Sequence, residues 1–309
     1  MPRSKRVITW VTILIQGYAV WFALSRPQLW LYMLRENKLV SYLGVFVLYL
    51  FADRVMHGLV TSEIVRKTQL EADQIAAQQI QKTLQPEKLE ELVGYDMKVF
   101  YEAFRAVGGD YFDVIELPGN RTLFAVADVS GKGVPAALLA ANIQALVRSL
   151  AKIDADPLVL ANQINKHLSR YTPSDRFATA VFAVLSRDSG ELLYVNAGHN
   201  APIVFCDGSA TSLEATGMPM GLLSDAEYAT GAANIPFSGT FLLFTDGLTD
   251  SIPGDDPAAR LRDAISGNPE KTMSNLKSLM DPRLKEDDVT ILLIKRMDRK
   301  PWSQVHFRC

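Results

Sequence analysis

The sequence predicts an α/β protein of the layered α+β kind, and three observations carry that reading. From Tyr95 onward, short β-branched apolar runs are bounded by Gly, Asp and Asn, the pattern of buried strands. These runs mix with helix-patterned stretches at hairpin-like as well as crossover spacing, which calls for an antiparallel component. Apolar residues make up 48% of the 309 positions and charged residues 21%, which excludes a disordered chain and supports one large domain or two smaller ones.

The N-terminus is different in kind. Residues 7–24 carry no charge and follow Arg3, Lys5 and Arg6, the minimal length for a membrane span. A second uncharged run covers Leu39–Ala52, and Trp10, Trp21 and Trp30 sit near the run ends, as at a membrane interface. No A-x-A-like site follows, which argues against a signal peptide; a buried core helix is the other reading. Arg26, Arg35 and Lys38 lie between the runs and Arg54, Arg66 and Lys67 beyond them, so the positive-inside rule leaves one span or two open.

Residues 61–85 contain neither Gly nor Pro and are rich in Gln, Ala, Glu and Lys, and Pro86 follows. They predict a helix stopped by that proline. Its apolar positions (Ile64, Leu70, Ile75, Ile80, Leu84) are too irregular for a strict coiled coil, so a signalling helix and a solvated linker fit equally up to Leu70, and the signalling role is favoured from Ile75 onward. Strands are predicted at Leu123–Ala127, Ala178–Leu185, Leu192–Val195, Phe241–Phe244 and Val289–Ile294. Helices are predicted at Val134–Leu150, Asp156–Leu168, Pro257–Ser266 and Thr272–Met280. The tail after Met297 is basic and reads as a solvated end.

The chemistry follows from what is absent and what is placed. A net charge of −2 gives no electrostatic case for nucleic acid. Cys206 and Cys309 have neither disulfide-framework nor metal-ligand spacing. Carboxylates, however, stand at the ends of apolar strands: Asp128 closes LFAVAD, Asp246 closes FLLFTD, and Asp287 and Asp288 precede VTILLI. Asp110 lies in a Gly108-Gly109-Asp110 turn. Each alone reads better as a turn or a cap than as a functional group. Gathered at one edge they form an oxygen-only pocket, suited to Mg²⁺ or Mn²⁺ rather than Zn²⁺ and to two-metal hydrolysis of a phosphate ester.

With these residues in view, the chain resembles the SpoIIE-type branch of the protein phosphatase 2C (PPM) superfamily, from about Ile75 to Arg296. The motifs run in family order: IQKTLQP at 80–86, GGDYFDV at 108–114, ADVSGKGVPAALLA at 127–140, YVNAGHNAP at 194–202, GMPMG at 217–221, FTDGLTDS at 244–251 and DDVTILLIKR at 287–296. The resemblance implies two antiparallel sheets sandwiched between helices. It implies metal ligation by Asp110, Asp128, Asp246 and Asp287, with Asp288 the less favoured of its pair and the Val129 carbonyl an extra contact. It further implies hydrolysis of phosphoserine or phosphothreonine by a water activated by two ions, Mn²⁺ or Mg²⁺, without a covalent enzyme intermediate.

Neighbouring residues take plainer readings. His199 and Asn200 read as a turn rather than acid–base catalysts, and Lys132 lacks a phosphate-loop motif around it. Asp113 fits either a supporting role behind the ligands or a solvated turn.

The organisation expected is a membrane anchor over 1–60, a linker helix over 61–86, the phosphatase domain over 87–297 and a tail over 298–309. The substrate class implied is a phosphorylated STAS-type anti-sigma-factor antagonist, which is cytoplasmic. That favours a two-span hairpin holding the catalytic domain on the cytoplasmic face of the membrane, with a homodimer through the linker helix as a further option. A non-catalytic membrane scaffold that binds the phosphoprotein is the alternative function. A nucleotide cyclase is disfavoured, since Tyr111 follows Gly-Gly-Asp where such enzymes carry Glu.

Overall fold

The computed structural model describes residues 39–84, 91–173 and 175–297, together with scattered positions between 18 and 35. Two compact units are distinguished, Met1–Glu71 and Ala72–Cys309. Helix α1 runs unbroken over Leu39–Leu84, 46 residues without a proline. Unit one shows its first part, where Leu43, Phe46, Val47, Leu48, Phe51, Met56 and Leu59 are all exposed.

This part of the chain does not support the expected hairpin. Among the described residues, no helix is long and apolar enough to cross a membrane. The second expected span, 39–52, meets Asp53 and Arg54 at once, leaving too short an apolar run for a bilayer. The first, 7–24, lies outside the described residues apart from Tyr18 and Trp21, as does the 298–309 tail.

The second unit is a sandwich of two five-stranded sheets. The first sheet contains β1 (Tyr95–Glu102), β10 (Val289–Arg296), β9 (Thr240–Phe244), β6 (Ile203–Cys206) and β7 (Ser209–Ser212), in that order. The second contains β2 (Tyr111–Leu117), β3 (Arg121–Val129), β4 (Ala178–Ser186), β5 (Glu191–Ala197) and β8 (Gly231–Asn234). Among the described residues, every pairing between these strands is antiparallel.

Burial on both faces explains why the central strands read as continuous apolar runs rather than alternating ones. In β3, Phe124 and Val126 point to the inter-sheet core with Val181, Phe241, Leu243 and Leu292. Leu123, Ala125 and Ala127 face the other way, onto α2 (Val134–Leu150) and α3 (Pro157–Tyr171) through Ile143, Val147, Leu160 and Ile164. The outer face of the first sheet is covered by α4 (Asp246–Asp250), α5 (Pro257–Ala264) and α6 (Pro269–Leu279), through Leu248, Leu261 and Leu276. The layers therefore run helix, sheet, sheet, helix.

One end of the sandwich is riveted. Arg296, buried at the close of β10, donates to the carbonyls of Asp188 (2.7 Å), Ser189 (2.8 Å) and Ile235 (2.8 Å), and lies 4.0 Å from the Phe237 ring centroid. Tyr95 Oη donates to the Arg187 carbonyl at 2.9 Å. These contacts tie β1 and β10 to the turn that joins β4 and β5. The carboxylates sit at the opposite end.

Candidate active site

Antiparallel pairing brings the four strand ends together two by two. Tyr111 opposes Ala127, so Asp110 before β2 lies beside Asp128 near the end of β3. Ile291 opposes Phe244, so Asp246 after β9 lies near Asp287 and Asp288 before β10. One pair of ends belongs to each sheet.

Hydrogen bonds then cross from sheet to sheet at this edge. Asp110 Oδ2 accepts from Thr245 Oγ1 at 2.8 Å and from Thr290 Oγ1 at 2.5 Å. Asp288 accepts from the backbone amides of Phe104 (2.7 Å) and Gly109 (2.6 Å), tying the start of β10 to the Gly-Gly-Asp turn. Glycines make the approach possible: a Cβ at Gly247 would lie 2.0 Å from the Asp288 carbonyl oxygen, and one at Gly109 would lie 3.0 Å from that of Val129.

The electrostatics are those of carboxylates with too little compensating charge. Burial first, then the charge of Asp128, pushes Asp110 well above the usual carboxylate range, although the two threonine hydroxyls oppose this. Asp128 is pushed up to about 7, by burial and then by Asp246, Asp287 and Asp288. Burial, then Asp250 and Asp287, raises Asp246. Burial also raises Asp288, against the amides that hold it. Opposing these effects, the Lys132 ammonium favours the charged forms of Asp128 and Asp246 and pairs directly with Asp287 at 2.8 Å.

The donor set is all oxygen and mutually repulsive, which fits a hard divalent cation. As they stand, no three His, Cys, Asp or Glu side chains among the described residues form a group able to hold a metal ion. Protein donors engage part of this set: hydroxyls on Asp110 Oδ2, amides on Asp288 and the Lys132 ammonium on Asp287 Oδ2.

Other expectations resolve differently. Asp113 is buried, and Arg148 of α2 pairs with it through two bonds of 2.6 and 3.1 Å, so it pins a helix to the sheet and is not a solvated turn residue. His199 is buried, with Thr179 Oγ1 2.7 Å from Nδ1 and the Phe244 carbonyl 3.1 Å from Nε2. Because a carbonyl only accepts, Nε2 carries the hydrogen and Nδ1 accepts from Thr179. Burial lowers its pKa to about 4. His199 is thus a neutral link between β4 and the end of β9, two residues before Asp246.

Sequence reasoning missed Thr245 and Thr290, although each stands one or two positions from an acidic residue in an otherwise apolar strand context. It also missed Gln81, whose amide donates to the Gly108 carbonyl (2.7 Å) and accepts from the Gly108 amide (3.1 Å). Gln144 of α2 donates to the Leu84 carbonyl beside it. The last turns of α1 are therefore fastened to the turn that carries Asp110.

Comparison with known proteins agrees with this architecture. The chain is 25% identical over 212 residues to the phosphoserine phosphatase RsbP of Bacillus subtilis, covering 63% of this chain and 51% of that one. It is 24% identical over 232 residues to the phosphoserine phosphatase RsbU of the same organism, covering 71% and 69%. The chain thus spans about half the length of RsbP. The SiaA PP2C domain of Pseudomonas aeruginosa superposes with a TM-score of 0.63 at 22% identity, over 75% of this chain and 98% of that domain, which shows a shared fold. The family model for stage II sporulation protein E matches residues 118–297, more than half of the chain, including Asp128, Asp246, Asp287 and Asp288 but not the turn that carries Asp110, and the chain belongs to the SpoIIE family.

Proposed function

We propose that the chain is a metal-dependent serine/threonine protein phosphatase. The observation that carries this is the meeting of Asp110, Asp128, Asp246 and Asp287 from four strand ends, linked across the two sheets by Thr245 and Thr290. Asp110, Asp128, Asp246, Asp287 and the Val129 carbonyl would hold two ions, Mg²⁺ or Mn²⁺. Such ions, when bound, supply an activated water and charge stabilisation for phosphoryl transfer. The chain's own part is positioning. Thr245 and Thr290 aim Asp110, Asp288 holds the Gly-Gly-Asp turn, and His199 fixes the approach to Asp246.

The substrate reading is phosphoserine or phosphothreonine on a small STAS-type regulator; the phosphoserine phosphatase names of two relatives support its phosphoserine part, and the STAS-type carrier follows from the family resemblance alone. Attachment to the cytoplasmic membrane, with the catalytic unit facing the cytoplasm, belongs to the same reading. Its support is the apolar N-terminal sequence and the exposed apolar residues all round the first part of α1, a surface that water does not favour.

The test is phosphate release from a phosphoserine protein by the full chain with Mn²⁺, with Mg²⁺ and with chelator, beside Asp110→Ala and Asp246→Ala. Turnover that needs the metal and both aspartates is expected. A folded protein that binds the phosphoprotein without turnover would replace the phosphatase with the scaffold.

A further inference from the structure

Lys132 is the cation of the carboxylate cluster, and its surroundings say what it does there. Its ammonium pairs with Asp287 at 2.8 Å, donates to the Glu286 carbonyl and lies 5.3 Å from the Phe104 ring centroid. The loop that carries it is held independently. Arg176 donates to the Ser130 carbonyl (2.9 Å), Ser130 Oγ accepts from the Phe177 amide (2.9 Å), and the Arg176 guanidinium covers Gly131 so closely that a Cβ there would lie 1.9 Å from Nη1. The Lys132 side chain is only about two-thirds covered. A flexible four-carbon stem on a fixed loop can leave its partner without disturbing the fold.

Asp287 therefore has a partner already, and a lysine ammonium and a divalent cation cannot share one carboxylate at close range without like-charge repulsion. Resting on the reading of this site as a metal centre, we infer that Lys132 is an internal counter-ion that competes with the metal for Asp287. It holds the carboxylate while the site is metal-free and must release it when metal binds. The lysine thereby weakens metal affinity and keeps Asp287 from being left unpaired in the metal-free protein.

The test is a titration of the full chain with Mn²⁺ alone, free Mn²⁺ being followed by its paramagnetic resonance signal. Lys132→Met is expected to bind about tenfold more tightly than wild type, the order set by loss of the one ion pair that competes for Asp287. Lys132→Arg, which keeps the charge, is expected to show no gain, and in an Asp287→Asn background the Lys132→Met gain should vanish.

A second readout uses no activity and no substitution. Acylation of Lys132 by an amine-reactive ester, followed by mass spectrometry, should quicken when Mn²⁺ is added, while Lys98, paired with Glu270 at 2.9 Å, should not change. If wild type binds Mn²⁺ and Lys132→Met binds equally or more weakly, the competition is overturned and the metal centre stands. An equal gain in Lys132→Arg, a gain that persists without Asp287, or unchanged Lys132 acylation would also overturn it. Absence of Mn²⁺ binding in both proteins would remove the metal centre and the competition together.

Discussion

In chelator at pH 8, Asp128→Asn is expected to be more stable than wild type, although it removes a residue of the candidate site. The folded protein raises the Asp128 carboxyl from 3.8 to about 7, by burial and by the charges of Asp246, Asp287 and Asp288. Between pH 3.8 and 7 the folded state keeps a proton that the unfolded chain has released, so stability falls as pH rises through that window. Above pH 7 the penalty is complete. At about 1.4 kcal/mol per unit it reaches about 4 kcal/mol, or roughly 8–16 °C in Tm for a domain of this size.

Asparagine cannot ionise and escapes the penalty. The assay is thermal unfolding of both proteins in chelator at pH 4, 5.5, 7 and 8. The difference in Tm should be near zero at pH 4 and grow in favour of Asp128→Asn up to pH 8. Added Mn²⁺ should narrow the gap by stabilising wild type more. A variant less stable than wild type at pH 8, or a difference independent of pH, would refute the reasoning.

Three further outcomes are expected. Gln81→Leu loses both bonds to Gly108 and should lower kcat about thirtyfold with little change in KM, at about 1 kcal/mol for each hydrogen bond; unaltered kcat would deny the helix end a positioning role. His199, lowered to about 4 by burial, should show no ring titration by NMR between pH 5.5 and 8 and a protonated Nε2. Its contribution to stability is complete above pH 6.5 and is lost as pH falls from 6.5 towards 4. Arg296→Ala leaves three carbonyls without their donor and should cost about 3 kcal/mol in denaturant unfolding, with Mn²⁺ affinity unchanged at the far end of the sandwich.

How much of this was legible depends on where the deciding contacts lie. The runs LFAVA and FLLF announced β3 and β9, because strands buried on both faces need no partner to look apolar. Helix α2 was legible to the residue, with Gly133 before it and Pro135 in its first turn. Strands β7 (SATS) and β8 (GAAN) were not, since they sit at sheet edges with exposed or half-exposed residues. They are strands because Ile203–Cys206 and Glu191–Tyr194 offer them hydrogen bonds.

The aspartates showed themselves as charges interrupting apolar strands, but their orientations did not. Asp113 looked like a turn residue because Arg148, its partner, is 35 positions away on a helix. Lys132 looked like loop chemistry because its partner Asp287 belongs to another strand end. Helix α1 looked divided because charge begins at Asp53, yet nothing between 39 and 84 interrupts a helical backbone, with Gly44 and Gly58 as its only glycines.

The Arg296 rivet gives the sandwich a mechanical polarity. At that end the two sheets are clasped by fixed donors and carbonyls; at the other, the bonds of Thr245 and Thr290 to Asp110 hold them against the mutual repulsion of the acidic groups. A body closed at one end and under electrostatic pressure at the other behaves like a sprung peg. Its easiest local opening lies at the jaws, along the first residues of β2 and β10 and the last of β9. Amide hydrogen exchange should accordingly quicken there in chelator and slow with Mn²⁺, while the backbone around Asp188–Gly190 keeps one rate throughout.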